Sequence, residues 1–120
     1  MNRSSAPSVK KAQKESLLYQ ELSKLFLSIT LDDERVRGLS LSRIKLSDDG
    51  GICFAFFYAA GGLKEFNEKK EWLVLYKPSM RKSLARLISA RYTPQLVFKF
   101  DDIFEKQQRL ESLLDSIKES

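Results

Sequence analysis

From Lys10 to Thr30 the chain has no glycine or proline, and Leu18, Leu22, Leu25, Phe26 and Ile29 recur at the spacing of one helix face. That pattern predicts an amphipathic helix with its charged side chains turned outward. The polar stretch LDDER, residues 31–35, ends it, and Gly38 leads into a different alternation. Leu39 and Leu41 alternate with Ser40 and Ser42, after which the phase changes and Ile44 and Leu46 take the apolar positions. Side chains of a strand alternate with period two, so one extra residue turns its faces over; a β-bulge near Ser42–Arg43 is predicted. Asp48-Asp49-Gly50-Gly51 is a turn signal. The run Ile52 to Ala60 is apolar at both parities and is expected to be a central strand.

Gly61-Gly62 breaks that strand, and Leu63, Phe66, Trp72 and Leu73 mark a helix reaching Leu75. Pro78 disfavours helical geometry at its predecessor, which places a boundary or kink at Lys77. A new helix can begin at once, with Pro78 or Ser79 in its first turn, because the missing N–H costs nothing there. Met80, Leu84, Leu87 and Ile88 form its buried stripe, and Arg81, Lys82 and Arg86 occupy the rest of its circumference. After Pro94, Leu96, Phe98 and Phe100 alternate with Val97, Lys99 and Asp101 as a third strand. Phe104, Leu110, Leu113, Leu114 and Ile117 then sit at helical spacing. The expected organisation is a flexible arm over residues 1–9, one domain over 10–103 and a C-terminal helix over 104–120. The leucines of that last helix, Leu110, Leu113 and Leu114, are expected to pack on the sheet, since an apolar stripe needs a partner.

Composition narrows the chemistry. The 120 residues suit one domain with a modest core. Histidine is absent, which removes the commonest general base and the commonest metal ligand together. Cys53 is the only cysteine and lies in an apolar run, so it reads as a buried small hydrophobe in a reducing compartment. No apolar run approaches the roughly 20 residues that span a bilayer, and the basic, serine-containing start lacks the apolar block of a signal peptide. A cytoplasmic protein with no cofactor, no metal and no enzymatic activity is expected.

Net charge is +5, but its distribution says more. Lys69, Lys70, Lys77, Arg81, Lys82, Arg86, Arg91 and Lys99 face only Glu71 in that stretch, whereas residues from Phe100 onward are mainly acidic. A basic block before an acidic one points to a localised anion-binding face.

The stretch RKSLARLISARYTPQLVFKFDD, residues 81–102, resembles the signature region of the ribosome-binding factor A family. Arg81, Arg91, Pro94, Leu96, Phe98 and Asp101 stand where that family has an Arg opening the post-kink helix, then Arg-x-x-Pro-x-Leu-x-Phe and an acidic residue. SLSRIKLSDD, residues 40–49, is similar to the family's bulged first strand and its turn. The resemblance covers about residues 10–103. It implies an α+β fold of the type II KH-like kind, ordered α-β-β-α-kink-α-β with an added C-terminal helix. The Gly-x-x-Gly loop with which KH domains clamp a nucleotide backbone is absent, as the family leads one to expect. The family's Ala-x-Gly-type interruption is also missing, with Tyr76-Lys77-Pro78-Ser79 in its place.

What the resemblance implies about function is a monomeric factor assisting late maturation of the small (30S) ribosomal subunit and 16S rRNA processing. Its partners would be 16S rRNA and the small subunit, with no membrane and no small-molecule substrate. The candidate RNA-binding residues are Lys77, Arg81, Lys82 and Arg86 at the post-kink helix, with Lys69, Lys70 and Arg91 around them. A helix start offers unpaired N–H groups beside such cations, which suits phosphate. Arg91 either contacts RNA or pairs with Asp101 or Asp102. Lys10, Lys11 and Lys14 either add contacts or stay solvated, and Trp72, Tyr76 and Tyr92 are expected to pack rather than stack on bases. The competing reading is a protein-interaction adaptor that uses the same fold without RNA.

Overall fold

The computed structural model describes residues 5–88 and 93–119. The elements are α1 (Ser5–Asp32), β1 (Leu39–Leu46), β2 (Ile52–Ala59), α2 (Gly62–Leu73), α3 (Lys77–Leu87), β3 (Gln95–Phe100) and α4 (Asp102–Glu119). Single 3-10 turns lie at Glu34–Val36 and Val74–Tyr76. This is the expected order, with boundaries moved: α1 begins at Ser5, inside the stretch read as an arm, and α4 at Asp102, ahead of the expected 104. Pro7 falls in the first turn of α1, where no intrahelical donor is required, so the polar residues after it simply extend the helix.

The sheet runs β1-β2-β3, with β1 and β2 antiparallel and β2 and β3 parallel. The parallel pair needs a long crossover, which α2 and α3 provide. Register shifts between Leu41 and Arg43, so Ser42 is the predicted bulge. The hairpin turn is closed by Asp49, whose carboxylate accepts from the Ser47 hydroxyl at 2.8 Å and the Gly51 N–H at 2.9 Å. Gly50 takes φ +74° there, a left-handed conformation that suits glycine.

One face of β2, formed by Cys53, Ala55, Phe57 and Ala59, is buried beneath the helices. Phe57 is 0% exposed and meets Phe26 at 5.1 Å, Phe98 at 5.3 Å and Phe66 at 6.4 Å between ring centroids. Leu18, Leu22, Phe26 and Ile29 carry the α1 stripe into this core, as their spacing predicts. The other face of β2, Ile52, Phe54, Phe56 and Tyr58, is only half-buried. Its apolar residues are partly sheltered by cations instead of by a second layer: the Arg43 guanidinium lies 3.9 Å from the Phe56 ring centre and the Lys99 ammonium 4.9 Å from that of Phe54.

The expected packing of the C-terminal leucines is corrected. Leu110, Leu113 and Leu114 are 57%, 62% and 49% exposed. α4 is held at its start, where the Asp101 carboxylate accepts from the Phe104 N–H at 3.0 Å and the Phe104 ring meets Tyr58 edge-on at 4.7 Å. The inner sheet face is already filled by α1, α2 and α3, so the later leucines have no core to enter.

Candidate nucleic-acid interface

The break between α2 and α3 is made by the turn Val74–Tyr76. Tyr76 takes φ −94° and ψ 2°, between the helical and extended regions, while Lys77 stays helical at −54° and −45°. The departure therefore falls one residue before the position that Pro78 suggests. Lys77 tolerates helical geometry before proline because its N–H is held by the Val74 carbonyl and the first α3 turns are anchored by buried Met80, Ser83 and Leu84. That same bond removes the Lys77 N–H from the donors expected at the helix start.

Tyr76 is also tied from below. Its hydroxyl donates to the Asp33 carboxylate, which further accepts from Arg35 Nε at 2.9 Å and Nη2 at 2.8 Å. The Arg35 guanidinium lies 4.5 Å from the Trp72 ring centre. Hydrogen bonds from Arg35 and then Tyr76 hold the Asp33 carboxyl well below the usual carboxylate range, against the opposing effect of burial. The Tyr76 phenol is shifted upward, first by that bond to Asp33 and then by burial. Trp72 and Tyr76 are thus packing residues that fix the angle of the break, as expected.

On the far side of the break, Lys77, Pro78, Arg81, Lys82, Ala85 and Thr93 line one open groove of about 510 Å³. Burial of Met80, Ser83 and Leu84 on one side of α3 turns Arg81, Lys82 and Arg86 outward. The Lys77 ammonium stands 5.3 Å from the Phe98 ring centre. Arg81 is exposed and reaches the chain entering β3, donating from Nε to the Pro94 carbonyl at 3.3 Å and from Nη2 to that of Thr93 at 3.4 Å. Arg86 is exposed beside the groove without lining it, with Nη2 3.3 Å from the Ser83 hydroxyl. The groove lining holds three cations and no carboxylate. Such a surface suits the phosphates of a folded nucleic acid, read by charge and shape.

The remaining candidates are placed elsewhere. Lys69 binds Glu65 at 2.6 Å and the Arg37 carbonyl, which clips α2 to the chain before β1. A Cβ at Gly38 (φ +101°) would lie 2.7 Å from that ammonium, so glycine makes room for the clip. Lys70 is exposed on α2, 5.7 Å from the Phe66 ring centre. Arg91 and Tyr92 lie outside the described residues. The carboxylate proposed as a partner of Arg91, Asp101, accepts from Ser42 Oγ at 2.7 Å and Arg43 Nε at 3.0 Å.

The Cys53 thiol is pushed up to about 12, by burial first and by Glu15 second, so it is not a nucleophile near neutral pH. No group of three potential metal-ligating side chains occurs among the described residues. Charge counting along the chain included Lys99 but passed over Arg43 and Lys45, which join it on the outer sheet face. Their signal was period two: cations at 43 and 45 opposite aromatics at 54 and 56.

A three-stranded sheet in this order, covered on one face by α1 and a broken α2–α3 pair, defines a KH-like domain of the type without a Gly-x-x-Gly loop. The family model of ribosome-binding factor A matches residues 10–114. Curated relatives of that description include proteins of Halothermothrix orenii, 30% identical over 86% of this chain and 84% of its own length, and Syntrophobacter fumaroxidans, 32% identical over 84% and 87%. The crystal structure of ribosome-binding factor A from Thermus thermophilus aligns with a TM-score of 0.60 and 25% identity, over 73% of this chain and 92% of that one. A Thermotoga maritima protein solved by NMR shares the fold, with a TM-score of 0.56 and 22% identity over 76% and 82%. The chain belongs to the ribosome-binding factor A family.

Proposed function

We propose that the protein is an assembly factor of the small ribosomal subunit, acting late in its maturation and in 16S rRNA processing, and that it binds rRNA through the α3 groove. The observation that carries this reading is the convergence of Lys77, Arg81 and Lys82 on one groove whose lining holds no carboxylate. These three contact phosphates, Arg86 stands beside them, Lys70 adds an exposed cation on α2, and Arg91 follows in the chain. Lys69 serves mainly to clip α2 to the chain before β1. The factor works as a monomer in the cytoplasm, needs no cofactor and performs no covalent step, because recognition by charge and shape requires none.

The test is a sucrose-gradient profile of the wild type and of Lys82→Glu with Arg86→Glu. The wild type is expected to travel with free small subunits and to avoid assembled ribosomes, and the double variant to stay at the top of the gradient. Co-migration of the double variant with small subunits would sink the assignment of the face.

The exposed leucines of α4 favour a second reading, a protein-interaction adaptor. In that case association would resist salt and depend on Leu110, Leu113 and Leu114 instead of on Lys82 and Arg86.

A further inference from the structure

The outer face of the sheet carries a pattern that the α3 groove does not use. Register places Lys45 beside Phe54 and Phe54 beside Val97 in one cross-strand row, and Arg43, Phe56 and Lys99 in the next. Each row therefore has an aromatic ring on the central strand and a cation on an edge strand. The two rings are 6.5 Å apart between centroids. Lys45 and Lys99 are exposed, and Phe54 and Phe56 are half-buried. Among the described residues two carboxylates border the rows, and both are engaged: Asp101 accepts from Ser42 and Arg43, and Glu15 accepts from the Leu46 N–H at 2.7 Å.

We propose that this face is a second nucleic-acid site, which takes a short single-stranded RNA segment by stacking bases over Phe54 and the Arg43–Phe56 pair while Lys45 and Lys99 hold its phosphates. The choice of RNA rests on the function proposed above; the site itself is separate from the α3 groove. Aromatic rings on a sheet surface give flat plates for bases of any sequence, and guanidinium planes serve equally. Arg43 is fixed over Phe56 by its bond to Asp101, so this cation and ring form one preset plate. Lys99 is a flexible, exposed ammonium above Phe54, free to swing from the ring to a phosphate as a base arrives. An acidic peptide would satisfy the cations yet leave the rings unused. A nucleotide chain matches both.

The experiment titrates the full-length protein with a fluorescein-labelled single-stranded oligouridine RNA of about ten nucleotides, in parallel with amide shift mapping by NMR. Shifts are expected in β2 and β3 around Phe54 and Lys99. Lys45→Glu with Lys99→Glu should weaken binding about tenfold or more, and Phe54→Leu, which keeps an apolar side chain, about fivefold. Lys82→Glu with Arg86→Glu should leave the shifts in β2 and β3 in place, since those residues lie in the other site. Shifts confined to α3, or equal affinity of the sheet variants, would overturn the proposal while leaving the α3 reading intact. Oligouridine binding at the sheet without co-migration with small subunits would do the reverse. Loss of subunit binding by the sheet variants without any oligouridine binding would assign the face to a protein partner and overturn the proposal too. The lysine pair and the shift map keep the test decisive if Phe54→Leu fails to fold.

Discussion

Arg81 donates from Nε to the carbonyl oxygen of Pro94 at 3.3 Å, which joins the helix after the break to the chain that enters β3. Both residues belong to the signature stretch, so one side chain serves the fold and faces the proposed RNA groove. Substitutions at Arg81 consequently mix two effects. Those at Lys82, which borders the same groove on the exposed side of α3, do not.

Arg81→Lys keeps the charge but loses the planar fork that spans the Pro94 and Thr93 carbonyls. It is expected to cost about 1 kcal/mol or less, because both bonds are long and the side chain is exposed. Subunit affinity should fall further in Arg81→Glu than in Arg81→Lys at similar thermal stability. Equal affinity of the two variants, measured with melting curves alongside, would make Arg81 a structural residue only.

Asp101 is 2% exposed and accepts from the bulge residue Ser42, from Arg43 and from the Phe104 N–H that opens α4. Asp101→Ala removes a helix cap and takes the carboxylate acceptor from Arg43 and the part-buried Phe104 N–H, so a loss of about 3 kcal/mol is expected. Ser42→Ala should cost about 1 kcal/mol. Urea denaturation measures both, and a cost for Asp101→Ala below that of Ser42→Ala would refute its bridging role.

Acid sensitivity follows from the same carboxylates. Burial pushes Asp101 up, but hydrogen bonds from Ser42, the Phe104 N–H and Arg43 outweigh it, and the net shift is downward from 3.8. Lys69 first, and then the Gly61 N–H, lower Glu65 from 4.5. A carboxyl lowered in the folded state stabilises above its unfolded value, and that contribution is lost as pH falls through the folded one. Tyr76 and Cys53 are shifted upward from 10.0 and 9.0, so their contributions are present at neutral pH and lost on the alkaline side. With no histidine in the chain, stability should be flat from roughly pH 5 to 8.5 and fall on both sides. Melting temperatures across that range provide the check, and a transition near pH 6.5 would contradict it.

The exposed leucines give a contrasting expectation. Leu113→Ser with Leu114→Ser should change unfolding stability by no more than about 0.5 kcal/mol, as for surface positions generally. A loss of several kcal/mol would mean that α4 packs on the domain in solution.

Local pattern made most of the fold legible. The phase change between Leu41 and Ile44 located the bulge, and the double-sided apolar run located the central strand. The α1 stripe named its core residues by spacing alone. What was not legible depended on partners distant in sequence. Pro78 pointed to a break at Lys77, whereas the bond from Tyr76 to Asp33, across 43 positions, helps to place it at Tyr76. The apolar stripe of α4 gave no sign that the inner sheet face would already be full. Lys69 looked like part of a basic patch because charge counting cannot see that Glu65 and the Arg37 carbonyl hold it. Lys77, Arg81 and Lys82 were readable as a group because one helix start brings them together.

The salt dependence of binding to purified small subunits tests the central claim most directly. If the α3 groove tracks about five phosphates, log affinity should fall with log salt at a slope of roughly −3 to −4, and Lys82→Glu with Arg86→Glu should make that slope shallower by about 1.5. An affinity that is flat with salt, or a slope unchanged in the double variant, would contradict it.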